Sequence, residues 1–268
     1  MWRRHLIKAG SKARLNGIDT DVPSSFEGGK DKAEARLEEL RGRLDSLQEL
    51  LYAGAKHKFL IVLQAIDTGG KDGTIRYVFS GVNPQGVDVV RFKVPTAEEL
   101  AHDYLWRVHQ HTPQKGKIMI FNRSHYEDVV TVKVHNLAPA DMVEKRYAQI
   151  NDFERMLVEE GVTVLKFYLH ISKAQQKRRI KERLDDPKKH WKFTLSDVHE
   201  RKSWAKYIAC YEQAIRRTST PWAPWCVVPA DKKWYRNLVV TECIVDHLEG
   251  LNMTYPKLAV DPKSVYFR

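Results

Sequence analysis

The chain has no apolar run of the roughly 18 residues that a membrane-spanning helix needs, so no such helix is expected. Residues 1–10 are cationic but lack the apolar stretch of a secretory signal; a cytoplasmic protein is expected. Cysteine is scarce. Cys210, Cys226 and Cys243 are too few and too scattered for a disulfide framework or a zinc site, and read as buried apolar residues. Glycine (14) and proline (11) are too rare for a collagenous or broadly disordered chain. No internal repeat or low-complexity segment is present, and His109, His111, His125, His170, His190 and His199 show no metal-ligand spacing. Acid is also in deficit: 34 Asp and Glu stand against 45 Lys and Arg, a net charge of +11. The partner of such a chain is an anion: nucleic acid, anionic lipid or a phosphate-rich substrate.

What is present suits one domain. Hydrophobic residues make up 43% of 268, enough for a sizeable core. Residues 1–30 lack periodicity and read as an arm; 31–255 form the domain and 256–268 a tail. Ala33, Leu37, Leu40, Leu44, Leu47 and Leu51 recur at helical spacing, predicting a helix over 31–53. The unalternating apolar run 58–66 predicts a strand buried on both faces. Further strands are predicted at 87–92, 117–122, 162–169 and 225–229. Helices are predicted at 96–108, with Thr96 and Glu99 as a capping box, at 139–160 with Met142, Tyr147, Ile150, Phe153 and Leu157 on one stripe, and at 234–248. Strands alternating with helices imply an α/β fold, a parallel sheet flanked by helices. A basic helical insertion at about 172–222 interrupts the alternation and is expected as a lid over the carboxyl ends of the strands.

Three segments carry chemistry. The first is the loop after strand 58–66, Asp67-Thr-Gly-Gly-Lys-Asp-Gly-Thr74, which opens a helix as a P-loop does. Thr68, Gly69, Gly70, Lys71, Asp72, Gly73 and Thr74 are its candidate phosphate-binding residues: loop amides curl around phosphate oxygens and Lys71 adds a point charge. Ala65 stands where a P-loop has its first glycine, and Asp72 where it has a Ser or Thr that ligates Mg²⁺. Asp67 can supply a carboxylate instead, to hold Mg²⁺ or to take a proton from an attacking phosphate.

The second segment, Asn122-Arg-Ser-His-Tyr-Glu-Asp128, follows strand 117–122 on the same rim. Arg123 can clamp a phosphoryl group, and Glu127 or Asp128 can hold metal. Ser124 and Glu127 equally suit a helix-capping box. The third segment is the lid. Residues 173–192 hold nine Lys or Arg and three acids, a net +6 out of +11. Arg179 and Arg183 are four apart and share a helix face, where they would neutralise transferring phosphates. A solvated cationic face is the plainer alternative. Trp191, Trp204, Trp222, Trp225 and Trp234 cluster late in the chain, where core packing is the plainer role and base stacking the sharper one.

Together these segments resemble the polyphosphate kinases of the second, P-loop family. Leu63–Thr74, Phe121–Asp128, Arg183–Lys192, and the stretches 98–107 and 223–232 carry the resemblance, which covers roughly residues 30–255. It implies a thymidylate kinase-like fold with a helical lid, and Mg²⁺-dependent, reversible transfer of a terminal phosphoryl group between inorganic polyphosphate and an adenine or guanine nucleotide. It implies catalytic roles for Asp67, Lys71, Arg123 and Arg183, phosphate binding by Arg179 and Arg183, and nucleotide binding by Asn122, Arg123 and Glu127. Asp67, Glu127 and Asp128 are the expected metal ligands. Asn122 departs from the Asp of many members, and the motif around it is similar to that of the subgroup acting on both mono- and diphosphates. A homodimer or homotetramer is expected, with no nucleic-acid or membrane partner. Two rival readings fit parts of the pattern: an ATP-dependent nucleotide or small-molecule kinase, against which Ala65 and Asp72 weigh, and a single-stranded nucleic-acid-binding module built on the basic, Trp-rich insertion.

Overall fold

The apolar run after Lys58 becomes the central strand about which the other elements are placed. The computed structural model describes residues 1–265, so the last three residues of the expected tail lie outside the described residues. The elements in chain order are β1 (Leu6–Ile7), α1 (Gly29–Gly54), β2 (Lys58–Gln64), α2 (Lys71–Val78), β3 (Val87–Arg91), α3 (Ala97–Ala101), α4 (Trp106–His109), β4 (Ile118–Asn122), α5 (Thr131–Val134), α6 (Ala140–Glu159), β5 (Val162–His170), α7 (Lys173–Asp185), α8 (Leu195–Glu200), α9 (Trp204–Thr218), β6 (Trp225–Pro229) and α10 (Lys233–Gly250). The sheet runs β1-β6-β5-β2-β4-β3, parallel throughout except for β1.

Successive residues of β2 point to opposite faces, and both faces are buried, as expected for a parallel sheet covered on both sides. Phe59, Ile61 and Leu63 join α1, α2 and α10 in one core, with Leu37, Leu40, Leu44, Val240 and Ile244. Leu60 and Val62 join α6 and α9 in the other, with Tyr147, Ile150, Ile208 and Ile215. The chain order reverses at β2, whose neighbours are β5 and β4. Leu63 sits level with Asn122 on one side and Phe167 on the other, so the loops leaving β2 and β4 emerge side by side. That crevice is where α/β sheets bind ligands.

Four features differ from expectation. The arm supplies a sixth strand at the sheet edge, buries Trp2, Ile7 and Leu15, and reaches Asp231 through the Thr20 hydroxyl (2.9 Å). The helix expected over 96–108 forms its Thr96–Glu99 capping box but breaks after Ala101, because the Asp103 carboxylate accepts the amides of Leu105 and Trp106 and starts a new turn. Met142 lies exposed, and Val143 takes its place on the buried stripe of α6. Finally, α9 is part of the core rather than the lid, since Ile208, Tyr211, Ala214 and Ile215 pack under the sheet. Of the five clustered tryptophans only Trp225 is fully buried; Trp191, at 78% exposure, stands out on the lid.

Candidate active site

The loop between β2 and α2 is tightly specified. Gly69 packs so closely that a Cβ there would lie 2.5 Å from the Ala65 Cβ and 2.6 Å from the Ile66 carbonyl. Gly70 caps α2 in the left-handed region (φ +105°), with the guanidiniums of Arg236 and Arg179 against it. Thr68 also adopts positive φ (+67°), as does Arg123 (+63°) after β4, an uncommon state for non-glycine residues that clusters at functional sites. The Arg123 amide donates to the Leu63 carbonyl, tying the second motif to the central strand.

The side chains converge from there. Lys71 Nζ reaches back to donate to the Ala65 carbonyl (3.1 Å). Arg123 donates to the Asp67 carboxylate (2.5 Å) and lies 3.8 Å from Glu127. Asn122 Nδ2 donates to Asp72 (2.6 Å), so the residue replacing the usual P-loop hydroxyl links the two loops. Burial, and then the Arg123 charge, lower the Lys71 pKa against the pull of Asp67, Glu127 and Asp72. Burial disfavours the Arg123 charge too, yet Glu127 and Asp67 outweigh it and hold its proton firmly. Among the described residues the Thr68 hydroxyl oxygen is buried without a partner.

Behind this cluster lies a fully buried ion pair. Lys166 of β5 donates to Glu154 of α6 (2.6 Å), to the Thr218 carbonyl (2.6 Å) and to the Tyr126 hydroxyl (3.0 Å). Tyr126 and His125 both meet Glu154 Oε1, at 2.8 and 3.3 Å. Glu154 stays ionised despite burial because Lys166 and His125 offset it. The network pins the 3₁₀ turn His125–Asp128, and so fixes the direction of Glu127, whose Oε2 accepts from Thr131 (2.6 Å).

The lid helix α7 docks onto the loop. Ser172 caps it, and the Ser172 amide donates to Asp231 (2.8 Å). Gln176 donates to the Asp67 carbonyl (2.8 Å), and Arg179 donates to the carbonyls of Gly69 (2.9 Å) and Ala230 (2.5 Å). The lid thus engages the loop carbonyls from outside, while within the loop the Gly69 amide closes a turn onto the Ile66 carbonyl (2.8 Å).

The arrangement suits an anion of several phosphates. A model of the family described as polyphosphate kinase 2 matches residues 27–256. The chain belongs to the polyphosphate kinase 2 family. It is 56% identical over 255 residues to a protein of Meiothermus ruber named AMP/ADP-polyphosphate phosphotransferase, covering 95% of this chain and 96% of that one. It is 41% identical to an ADP-polyphosphate phosphotransferase of Rhodopseudomonas palustris, covering 94% and 91%. The crystal structure of a polyphosphate kinase 2 from Arthrobacter aurescens superposes with a TM-score of 0.92 at 43% identity, over 96% of this chain and 92% of the other.

In this polyphosphate kinase 2 fold the expected site residues do not all gather. Asp67, Lys71, Asp72, Asn122, Arg123, Glu127 and Arg179 come together, with Thr68, Gly69, Gly70, Gly73 and Thr74 as the loop and first turn. Arg183 lies on the lid and is held by Asp197 (2.9 Å). Asp128 turns away from the cluster to Arg146 (3.3 Å), and burial pushes its pKa up to about 6. The Ser124–Glu127 capping box does not form: Ser124 Oγ accepts the Tyr126 amide instead. Sequence reasoning missed Gln176, Tyr211, which donates to the Ala65 carbonyl (3.1 Å), and Arg236. Arg236 follows the expected strand 225–229 by only a few residues, and its place at the start of a helix on the ligand rim was the one available signal.

Proposed function

We propose that the chain transfers the terminal phosphoryl group of inorganic polyphosphate to AMP and ADP, reversibly, with Mg²⁺ as cofactor. The observation that carries this reading is the meeting of Lys71, Asp67 and Arg123 beneath a lid helix bearing more cations than one nucleotide requires. The name of the Meiothermus ruber relative supports both acceptors.

Among the described residues no three His, Cys, Asp or Glu gather as a complete metal centre. Mg²⁺ does not need one: it keeps several waters and takes one or two carboxylates together with substrate phosphates. Asp67 and Glu127, both hard oxygen donors flanking Arg123, fit that role, and Asp128 does not face them. Mg²⁺ there would neutralise charge on the phosphates. The loop amides and Lys71 hold the end of the polyphosphate. A phosphate oxygen of the acceptor forms a bond to the terminal phosphorus in line with the bond that breaks. The bridging oxygen leaves with its electron pair on the shortened chain. Arg123 stabilises the equatorial charge, Arg179 acts through the loop it grips, and Arg183 exchanges Asp197 for phosphate as the lid closes. Asn122 and Glu127 flank the acceptor phosphate, and Asp67 also orients the attacking group. Guanine nucleotides, a cytoplasmic setting and a homodimeric or homotetrameric state complete the reading; acceptor profiling and sedimentation test them.

The direct test mixes purified protein, Mg²⁺ and polyphosphate with AMP, ADP, GMP or GDP and separates the nucleotides. ADP and ATP are expected from AMP, and ATP from ADP. Absence of product with both adenine acceptors sinks the proposal.

A further inference from the structure

Among the described residues Arg236 is a buried cation without a counter-ion. It is 3% exposed, in the first turn of α10. Its Nε and one terminal nitrogen donate to a single neutral oxygen, Asn237 Oδ1, at 3.1 and 2.8 Å. Among the described residues it forms no ion pair, and its nearest charged influence is another cation, Arg179. The other terminal nitrogen, Nη1, presses on Gly70, inside the space a Cβ would fill, and the Arg179 guanidinium comes within 3.2 Å of the same point. Burial, and then the Arg179 charge, push the Arg236 pKa down to about 9. A charge held this way destabilises the chain by itself, because a desolvated ion needs a partner to offset the loss of water.

The position shows which partner is missing. Gly70 caps the amino terminus of α2, whose free amides and helix dipole already favour an anion. An anion held at that helix terminus would sit beside Gly70, against which the guanidinium packs. We propose that Arg236 is a positioning residue of the phosphate site: it fixes Gly70 from behind and supplies positive charge whose counter-ion is the bound phosphate chain. Phosphate binding and fold stability are then linked, since the bound anion offsets a desolvated charge. This rests on the reading of the loop as the seat of polyphosphate.

The test compares wild type with Arg236→Met, Arg236→Gln and Arg236→Lys, using tripolyphosphate as probe. Thermal midpoints are measured with and without it, its affinity by calorimetry at several salt concentrations, and KM and kcat with polyphosphate. Without ligand, Arg236→Met is expected to be at least as stable as wild type. Its tripolyphosphate affinity is expected to fall about tenfold, with a log-log salt slope shallower by about one. KM should rise more than kcat falls, and Arg236→Lys should restore most of the affinity. An Arg236→Met protein less stable than wild type without ligand overturns the proposal. So does tripolyphosphate affinity within about twofold of wild type in Arg236→Met or Arg236→Gln. Wild type that binds tripolyphosphate in an Arg236-dependent way but phosphorylates neither AMP nor ADP would refute the function and leave this inference standing; active wild type indifferent to Arg236 would do the reverse.

Discussion

Replacing Gly70 with alanine tests the loop at its tightest point. Two costs add. An L-residue at φ +105° leaves the allowed region, at about 1–2 kcal/mol. The new methyl also meets the buried Arg236 guanidinium, whose Nη1 lies inside the space the would-be Cβ fills, and overpacking of this kind costs about 1–3 kcal/mol. The expected loss is about 2–5 kcal/mol, or roughly 10 °C in thermal midpoint for a domain near this size. Gly81→Ala is the control, because Gly81 has nearly the same φ (+102°) with nothing within 4 Å of its would-be Cβ. It isolates the backbone cost and should leave turnover intact. Gly70→Ala should also lose about 10²-fold in turnover, since a shift of about 1 Å in the phosphate cradle misaligns the transferring group. The assays are denaturant melts and polyphosphate-dependent ADP formation. Equal stability losses in the two variants, with turnover retained in Gly70→Ala, would refute the packing argument.

Three further outcomes follow from single contacts. Lys166→Met should cost about 3–5 kcal/mol in chemical denaturation by stranding Glu154, and adding Glu154→Leu should recover part of that loss; additive losses would mean that the pair is not coupled. His5 is buried against the Tyr235 hydroxyl, and burial, helped by Arg4, lowers its pKa to about 4. The unfolded chain therefore binds the proton more readily than the native one, and stability falls as pH drops from 6.5 toward 4. The share lost between pH 7.5 and pH 5 is about 2 kcal/mol, read as wild type minus His5→Phe, and no difference between the two pH values contradicts the assignment. Asp67→Asn should keep its fold and lose at least about 10²-fold in turnover, and a smaller loss would remove the carboxylate from the mechanism.

Much of this site is legible in the sequence because its parts are local. A buried strand followed by Gly-Gly-Lys and a helix is one contiguous signal, and Asn122-Arg123 at the next strand end is another. The alternation of strands and helices then places both on one rim. What stays hidden depends on long-range pairing. Arg236 meets Gly70 only after β6 has been laid down beside β5, and in sequence only its place near the start of a helix on the rim hints at it. The two-residue strand β1 is too short to show any period. The lid is shorter than the 172–222 expected, because α9 and α7 are both helical and basic in sequence and only packing assigns α9 to the core. Glu127 and Asp128 could not be told apart in sequence. The 3₁₀ turn separates them by about 120°, which sends one to Arg123 and the other to Arg146.

The most direct test of the central claim is the rate of ADP formation from AMP, polyphosphate and Mg²⁺ by wild type beside a folded Lys71→Met protein. If the loop holds the phosphate chain and Lys71 stabilises the transferring group, wild type turns over and Lys71→Met falls by at least about 10²-fold. A Lys71→Met rate within about threefold of wild type would contradict the account, because phosphoryl transfer would then not run through this loop.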